Sequence, residues 1–137
     1  VVDKINSMIK VRDFWMPFAP SILDEFSEEY FSDVKKIRPY YMTFGFKASE
    51  KKFEEMIAAS HPRDRTIRPQ VVTKKMNPDY HKMLTYYKNI TGSGVVLNTS
   101  FNLHGEPIVY RNSEAIRVFL KSGLPHLALN KYIISKR

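Results

Sequence analysis

This 137-residue chain predicts an α/β or α+β fold, a twisted mixed β-sheet with flanking helices. Stretches with helical spacing of apolar residues alternate with short β-branched and aromatic runs. Strong punctuation separates them at Asn77-Pro78, Gly92-Ser-Gly94 and Gly123-Leu-Pro125. A hydrophobic content of 43% is enough for a core, and no repeat, low-complexity tract or long linker divides the chain, so one domain over 1–137 is expected.

In order, Val1, Val2, Ile5, Met8 and Ile9 fit one face of a short helix ending near Lys10. Pro17 and Pro20 forbid helix in the next block, which predicts packed, extended chain over Phe14 to Ser21, with helical turns from Ser21 to Phe31. Tyr40 to Phe46 is aromatic-rich and predicts a strand. Phe53, Met56 and Ile57 predict a helix over Ser49 to Ala59, and a second short strand is expected within Arg68 to Thr73. Asn77-Pro78-Asp79 is a helix start, with a capping amide, proline at the first position and an acid near the positive dipole end. That helix runs to about Asn89 and stops at Gly92. Val95 to Asn98 predicts a buried strand. Asn112 or Ser113 is expected to cap a helix through Leu120, and His126 to Ile134 reads as a closing strand pair.

The net charge of +8 favours acidic partners, but Lys and Arg are dispersed and the densest runs are pairs such as Lys51-Lys52, which argues against a nucleic-acid arm. With no cysteine, thiolate catalysis and disulfides are excluded and a reducing, cytoplasmic setting is expected. No apolar run approaches the roughly 20 residues of a membrane helix. The chain starts without Met, which reads as a piece of a longer protein.

Two pairs with i, i+2 spacing carry the chemistry. Lys10 and Arg12 would project from one face of extended backbone and could grip one phosphate or carboxylate, the Arg as a fork and the Lys as a point charge. Ser100 and Asn102 share that spacing beyond Val95-Val-Leu-Asn98, placing hydroxyl and amide at a strand mouth with Asn98 and Thr99. A third element, His61-Pro-Arg-Asp-Arg-Thr-Ile-Arg-Pro-Gln70, offers donors for a phosphate or ribose, with Arg68 and Gln70 held extended by Pro69. No carboxylate stands poised to orient His61, and His81 and His104 read as a helix residue and a turn residue. There is no H-E-x-x-H, G-x-S-x-G or Walker-type loop, so no protein metal site is expected.

Lys10-x-Arg12 with Trp15-Met-Pro-Phe-Ala-Pro-Ser-Ile22, Arg68-Pro-Gln-Val71, Leu97-Asn-Thr-Ser-Phe-Asn102, Gly105-Glu-Pro-Ile-Val109 and Phe119-Leu-Lys-Ser-Gly-Leu124 resembles the C-terminal domain of the O-carbamoyltransferases, which act in nodulation-factor and aminoglycoside-antibiotic tailoring. The resemblance runs nearly end to end and implies a YrdC-like fold. It also implies a tetrad, Lys10, Arg12, Ser100 and Asn102, that holds ATP phosphates and the carbamoyl group, with Arg68 and Asn98 as nucleotide contacts. The family's H-V-D-G-T-x-R stretch is one residue longer here and has Arg65 in the glycine's place, so Arg68 is carried over while His61, Asp64 and Thr66 are left without assigned roles. The implied substrates are ATP and carbamoyl phosphate, with Mg²⁺ arriving on the triphosphate. The implied partner is an N-terminal Kae1-like domain of the same chain, which would carry Fe²⁺ or a similar metal and perform transfer to a hydroxyl acceptor. A basic RNA-binding module of the same fold, or a domain that only packs on a neighbour, are the alternative readings of these residues.

Overall fold

The computed structural model describes residues 1–11, 16–32 and 36–137. The chain falls into two compact units, one made of Val1–Phe14 with Ser100–Arg137, the other of Trp15–Thr99.

The second unit is built on strand β1 (Ala19–Leu23), which lies between β4 (Gln70–Val72) and β5 (Val95–Asn98). β1 runs parallel to β4 and antiparallel to β5, so the sheet is mixed. Ile22 stands level with Val71 on one side and Val95 on the other, so one face carries an aliphatic row. That row packs on Tyr30, Phe31, Met56 and Ile67. The opposite face carries Leu23 and Val72, covered by Leu84 of helix α4 (Pro78–Thr91). Each side chain withdrawn from water in this way contributes roughly 1.5 to 3 kcal/mol. Short helical turns connect these strands: Asp24–Phe26 leading into α2 (Ser27–Tyr30), and Glu50–Lys52, α3 (Phe53–Met56) and Ile57–Ala59 in succession. A small ladder joins β2 (Phe46–Lys47) to β3 (Thr66–Ile67).

α4 follows its sequence signals closely. The Asn77 side chain accepts a hydrogen bond from the Tyr80 backbone N–H at 3.1 Å, Pro78 takes the first position, and Gly92 closes the helix at φ 81°. The unit of the two termini holds α1 (Val2–Ile5), which continues as a π-helical turn over Asn6–Lys10, then α5 (Asn112–Lys121) and the hairpin β6 (His126–Leu129) and β7 (Tyr132–Ser135). Its buried apolar side chains are Ile9, Ala115, Val118, Phe119 and Leu127. The class is α+β.

Three expectations are corrected. Tyr40 to Phe46 is not a strand: Met42 adopts φ 59°, a left-handed conformation that breaks extended pairing, and only Phe46–Lys47 joins a ladder. Ser21 to Leu23 belong to β1 rather than to a helical turn, and the helical turns begin at Asp24. The strand tolerates Pro20 because that residue pairs with Leu97 only, the parallel ladder to β4 starting one residue later at Ser21. The third correction concerns α5, which is not capped by Asn112 or Ser113. The Glu114 carboxylate reaches back to the backbone N–H groups of Tyr110 (2.8 Å) and Arg111 (3.1 Å). The predicted packed block lies outside the described residues at Phe14 and Trp15.

Two carboxylates tie these elements down. Glu55 accepts hydrogen bonds from Tyr30 (2.8 Å), Ser93 (2.5 Å) and Lys52 (2.6 Å). Burial pushes its carboxyl up, but the donors outweigh this and hold it below the ordinary value. The N–H groups of Tyr110 and Arg111 likewise hold Glu114 low. A carboxylate with a depressed folded-state pKa contributes stability above its unfolded value of about 4.3, and that contribution disappears as pH falls through the folded value. Thermal midpoints should therefore drop as pH is lowered from about 4.3, and Glu55→Gln should flatten that drop while lowering the midpoint at neutral pH. A midpoint–pH curve of unchanged shape would show that Glu55 does not carry the effect. Asn77→Ala should cost about 1 kcal/mol in urea unfolding.

Candidate functional site

Lys10 ends the π-helical turn with 3% of its surface exposed, an unusual position for a lysine. Its ammonium donates to Ser100 Oγ at 3.0 Å and to Asn102 Oδ1 at 2.6 Å, bridging 90 residues of sequence. Ser100 also donates to Asn102 Oδ1 at 2.7 Å, which closes a triangle of hydrogen bonds. These bonds offset the cost of taking the ammonium out of water.

The loop after Ser100 is shaped to hold this triangle. Asn102 Nδ2 donates to the Glu106 carbonyl (2.7 Å), Glu106 N–H bonds the Leu103 carbonyl (3.1 Å), and Val109 N–H bonds that of Phe101 (3.1 Å). Gly105 makes the turn at φ 76°, a conformation glycine adopts without a Cβ penalty. The Glu106 side chain receives both Arg117 nitrogens, at 3.0 and 2.6 Å, which fastens the loop to α5. That pairing keeps the Glu106 carboxyl below its ordinary range.

Lys10 is held from its backbone as well. His104 Nδ1 lies 2.9 Å from the Lys10 carbonyl oxygen, an acceptor only, so this nitrogen carries the proton. Met8, two residues earlier, accepts a 2.7 Å hydrogen bond from Gly123 N–H. The backbones approach closely enough that a Cβ on Gly123 would stand 3.2 Å from Met8 Cα. Val11 follows at φ 47°, an uncommon conformation for a β-branched residue that costs about 1 to 2 kcal/mol.

Of the predicted site residues, the structure therefore brings Lys10, Ser100 and Asn102 together. Arg12 lies outside the described residues. Arg68 and Asn98 belong to the second unit. Arg68 is exposed between β3 and β4, and Asn98 donates to Gln70 Oε1 at 2.8 Å. Sequence reasoning passed over His104, Glu106 and Arg117. The alternation Ser100-x-Asn102-x-His104 was the signal available for His104. His61 does have a carboxylate beside it, Asp64 at 3.2 Å from Nδ1, contrary to the sequence reading. Asp64 is engaged by the backbone and hydroxyl of Thr66, which hold its carboxyl low, and this turn ends at Arg65 with φ 57°, the left-handed backbone of the family's glycine position. His81 of α4 is buried, with its Nε2 2.7 Å from Glu25 Oε1 of the turn Asp24–Phe26. Among the described residues no group of three His, Asp or Glu side chains is placed to hold a metal, and no helix is long and apolar enough to cross a membrane.

The triangle holds two donors, the Lys10 ammonium and the Ser100 hydroxyl, of the kind that pairs with anionic oxygens, around one acceptor, Asn102 Oδ1. A family model described as Carbamoyltransferase C-terminus matches residues 1–136. The chain is 44% identical to protein MJ1051 of Methanocaldococcus jannaschii over 98% of its own length and 25% of that protein's. It is 38% identical to the nodulation protein NolO of Bradyrhizobium diazoefficiens, over 98% of this chain and 25% of NolO. It is 28% identical to the 3'-hydroxymethylcephem-O-carbamoyltransferase of Streptomyces clavuligerus, over 84% of this chain and 21% of that enzyme. The chain belongs to the carbamoyltransferase C-terminus family and spans about a quarter of the length of the relatives it matches.

Gly123→Ala should force Met8 aside and cost about 1 to 3 kcal/mol in urea unfolding. It should also shift the ¹⁵N resonance of the Lys10 ammonium, whereas an unshifted resonance would show that the Met8 contact does not place that side chain.

Proposed function

We propose that this chain is the ATP-handling part of an O-carbamoyltransferase. Its role would be to form carbamoyl adenylate from carbamoyl phosphate and ATP, for transfer to a hydroxyl acceptor by a separate N-terminal domain. The convergence of Lys10, Ser100 and Asn102 from opposite ends of the sequence is the observation that carries this reading. The names of the relatives support it: one is an O-carbamoyltransferase acting on a hydroxymethyl group, and NolO is a nodulation protein.

In the proposed reaction, hydrolysis of carbamoyl phosphate releases phosphate and leaves carbamate. A carbamate oxygen attacks the α-phosphorus of ATP, and pyrophosphate departs with the electron pair of the broken P–O bond. Negative charge builds on phosphoryl oxygens in the transition state, so preorganised donors are the main catalytic need. Lys10 and Arg12 would neutralise phosphate or carbamoyl oxygens, while Ser100 and Asn102 would orient the carbamoyl group. The chemistry of the triangle supports this task, since Lys10 and Ser100 are donors for phosphate or carbamoyl oxygens and Asn102 Oδ1 is an acceptor for the carbamoyl N–H. Mg²⁺ would come bound to the triphosphate. Arg68 and Asn98 are proposed as nucleotide contacts on the family resemblance. The acceptor and any Fe²⁺ would belong to the N-terminal Kae1-like domain, the partner expected from the much greater length of the relatives.

Calorimetric titration with Mg·ATP should show saturable binding that falls at least about tenfold in Lys10→Ala and Ser100→Ala, a loss of about 1.4 kcal/mol or more. Wild-type binding unchanged by either substitution would remove the triangle from the nucleotide site. Salt-dependent binding of mixed RNA without any response to Mg·ATP would support the RNA-binding alternative instead. In the full-length enzyme, Arg12→Ala should abolish ATP-dependent turnover while leaving the thermal midpoint within a few degrees of wild type. Unchanged kinetics would overturn its role.

A further inference from the structure

Three hydrogen bonds meet at the Asn102 amide, and together they admit one orientation of it. The Glu106 carbonyl only accepts, so the group 2.7 Å from it is the amide nitrogen. The Lys10 ammonium only donates, so the group 2.6 Å from it is Oδ1, which also accepts from Ser100 at 2.7 Å. In the free protein both ends of the amide are thus specified. The proposed role changes that balance, because Lys10 and Ser100 would turn to ligand oxygens. Among the described residues the Glu106 carbonyl is then the partner left to Asn102, and it keeps Oδ1 directed at the ligand.

What aims the Glu106 carbonyl lies outside the triangle. Gly105 turns the chain at φ 76°, the Glu106 N–H closes that turn on the Leu103 carbonyl at 3.1 Å, and Pro107 fixes the φ that follows. These features shape the loop, and Arg117 of α5 anchors residue 106 itself. Its two terminal nitrogens grip the two Glu106 carboxylate oxygens at 3.0 and 2.6 Å. Two parallel bonds hold a carboxylate in orientation as well as in position. Both side chains are partly exposed, at 45% for Arg117 and 30% for Glu106, so the value of the pair lies in geometry more than in stability.

An amide oxygen held toward a carbamoyl group tells that group from an acyl group of the same shape. Carbamoyl and acetyl phosphate differ by NH₂ against CH₃, and only the first carries a proton for Oδ1. A site built to receive a donor rejects the analogue that lacks it more strongly than size alone allows, because its own acceptor is left unpaired. Were the amide free to invert, its nitrogen would face the ligand and the distinction would be lost. We propose that Arg117, acting through Glu106, is a positioning residue that fixes the Asn102 amide and so makes the site select a carbamoyl phosphate over an acyl phosphate. This role presupposes the carbamoyl phosphate chemistry proposed above.

The test uses two stable phosphonates, phosphonoacetamide and acetonylphosphonate, which differ by the same exchange of NH₂ for CH₃. Each is titrated calorimetrically into the full-length enzyme. Wild type should bind phosphonoacetamide at least about tenfold more tightly, the worth of one well-placed hydrogen bond. Arg117→Met removes the fork but keeps an unbranched side chain on α5, and it should cut that preference to under about threefold. A loss of stability alone would weaken both phosphonates alike and leave their ratio unchanged. Reversing the pair, with Glu106→Arg and Arg117→Glu together, rebuilds the two-bond clasp and should restore the preference. If Arg117→Met fails to fold, Glu106→Gln, isosteric but able to accept from only one of the two nitrogens, should lower the preference in its place. An unchanged preference in a folded Arg117→Met or Glu106→Gln enzyme overturns the positioning role and leaves the carbamoyl reading standing, as does equal affinity of wild type for the two phosphonates. Failure of wild type to bind either phosphonate overturns the carbamoyl reading, and the positioning role falls with it.

Discussion

Keeping the Lys10 ammonium out of bulk water imposes a demand that shapes its whole unit. An ammonium needs acceptors on defined sides, and here they come from a segment ninety positions away, so the two ends of the chain are obliged to meet. The consequences spread outward from that meeting. Asn102 must be held by the Glu106 carbonyl, Glu106 is clasped by Arg117 of α5, and α5 ends where Gly123 lies against the Met8 backbone. The path returns to the turn that carries Lys10. Each contact is ordinary in strength, but they form a ring, so a disturbance at any member reaches the lysine.

The second unit solves a different problem, that of placing polar side chains on a sheet face otherwise given to packing. Ile22, Val71 and Val95 give one face over to apolar packing, while the opposite face combines Leu23 and Val72 with Ser21, Gln70 and Asn98. Ser21 stands level with Gln70, and Asn98 lies two residues beyond Val96, the residue opposite Ser21, so both donate to the Gln70 side-chain oxygen.

Local signals were readable where one residue type has one strong reason to be present. Asn77, Pro78 and Gly92 delimit α4 because capping, fixed φ and freedom at positive φ are properties of those side chains alone. The i, i+2 pairing of Ser100 and Asn102 pointed to convergence of their side chains, and the family resemblance grouped them with Lys10. What could not be read depended on partners distant in sequence. The aromatic run at Tyr40 to Phe46 favours extended chain, yet Met42 turns left-handed and its sulfur meets Asn98. Proline at position 20 pointed to extended chain, and only the register with β4 and β5 shows that this stretch is the central strand and why the proline is tolerated there. The cap of α5 went to a side chain inside the helix rather than to the polar residues at its start. The carboxylate beside His61 lies three residues along the same turn, but the grip of His104 on the Lys10 backbone joins residues 94 positions apart.

The π-helical turn over Asn6–Lys10 has a consequence for how such chains can vary. Val11 N–H bonds the Asn6 carbonyl, five residues back, so the turn holds one residue more than an α-helical turn would. Deleting a residue between Asn6 and Lys10 would restore the tighter winding and swing the lysine by about 100° around the axis, since 3.6 residues complete a turn. Substitutions along this stretch can be absorbed by neighbouring side chains, whereas a change of length cannot.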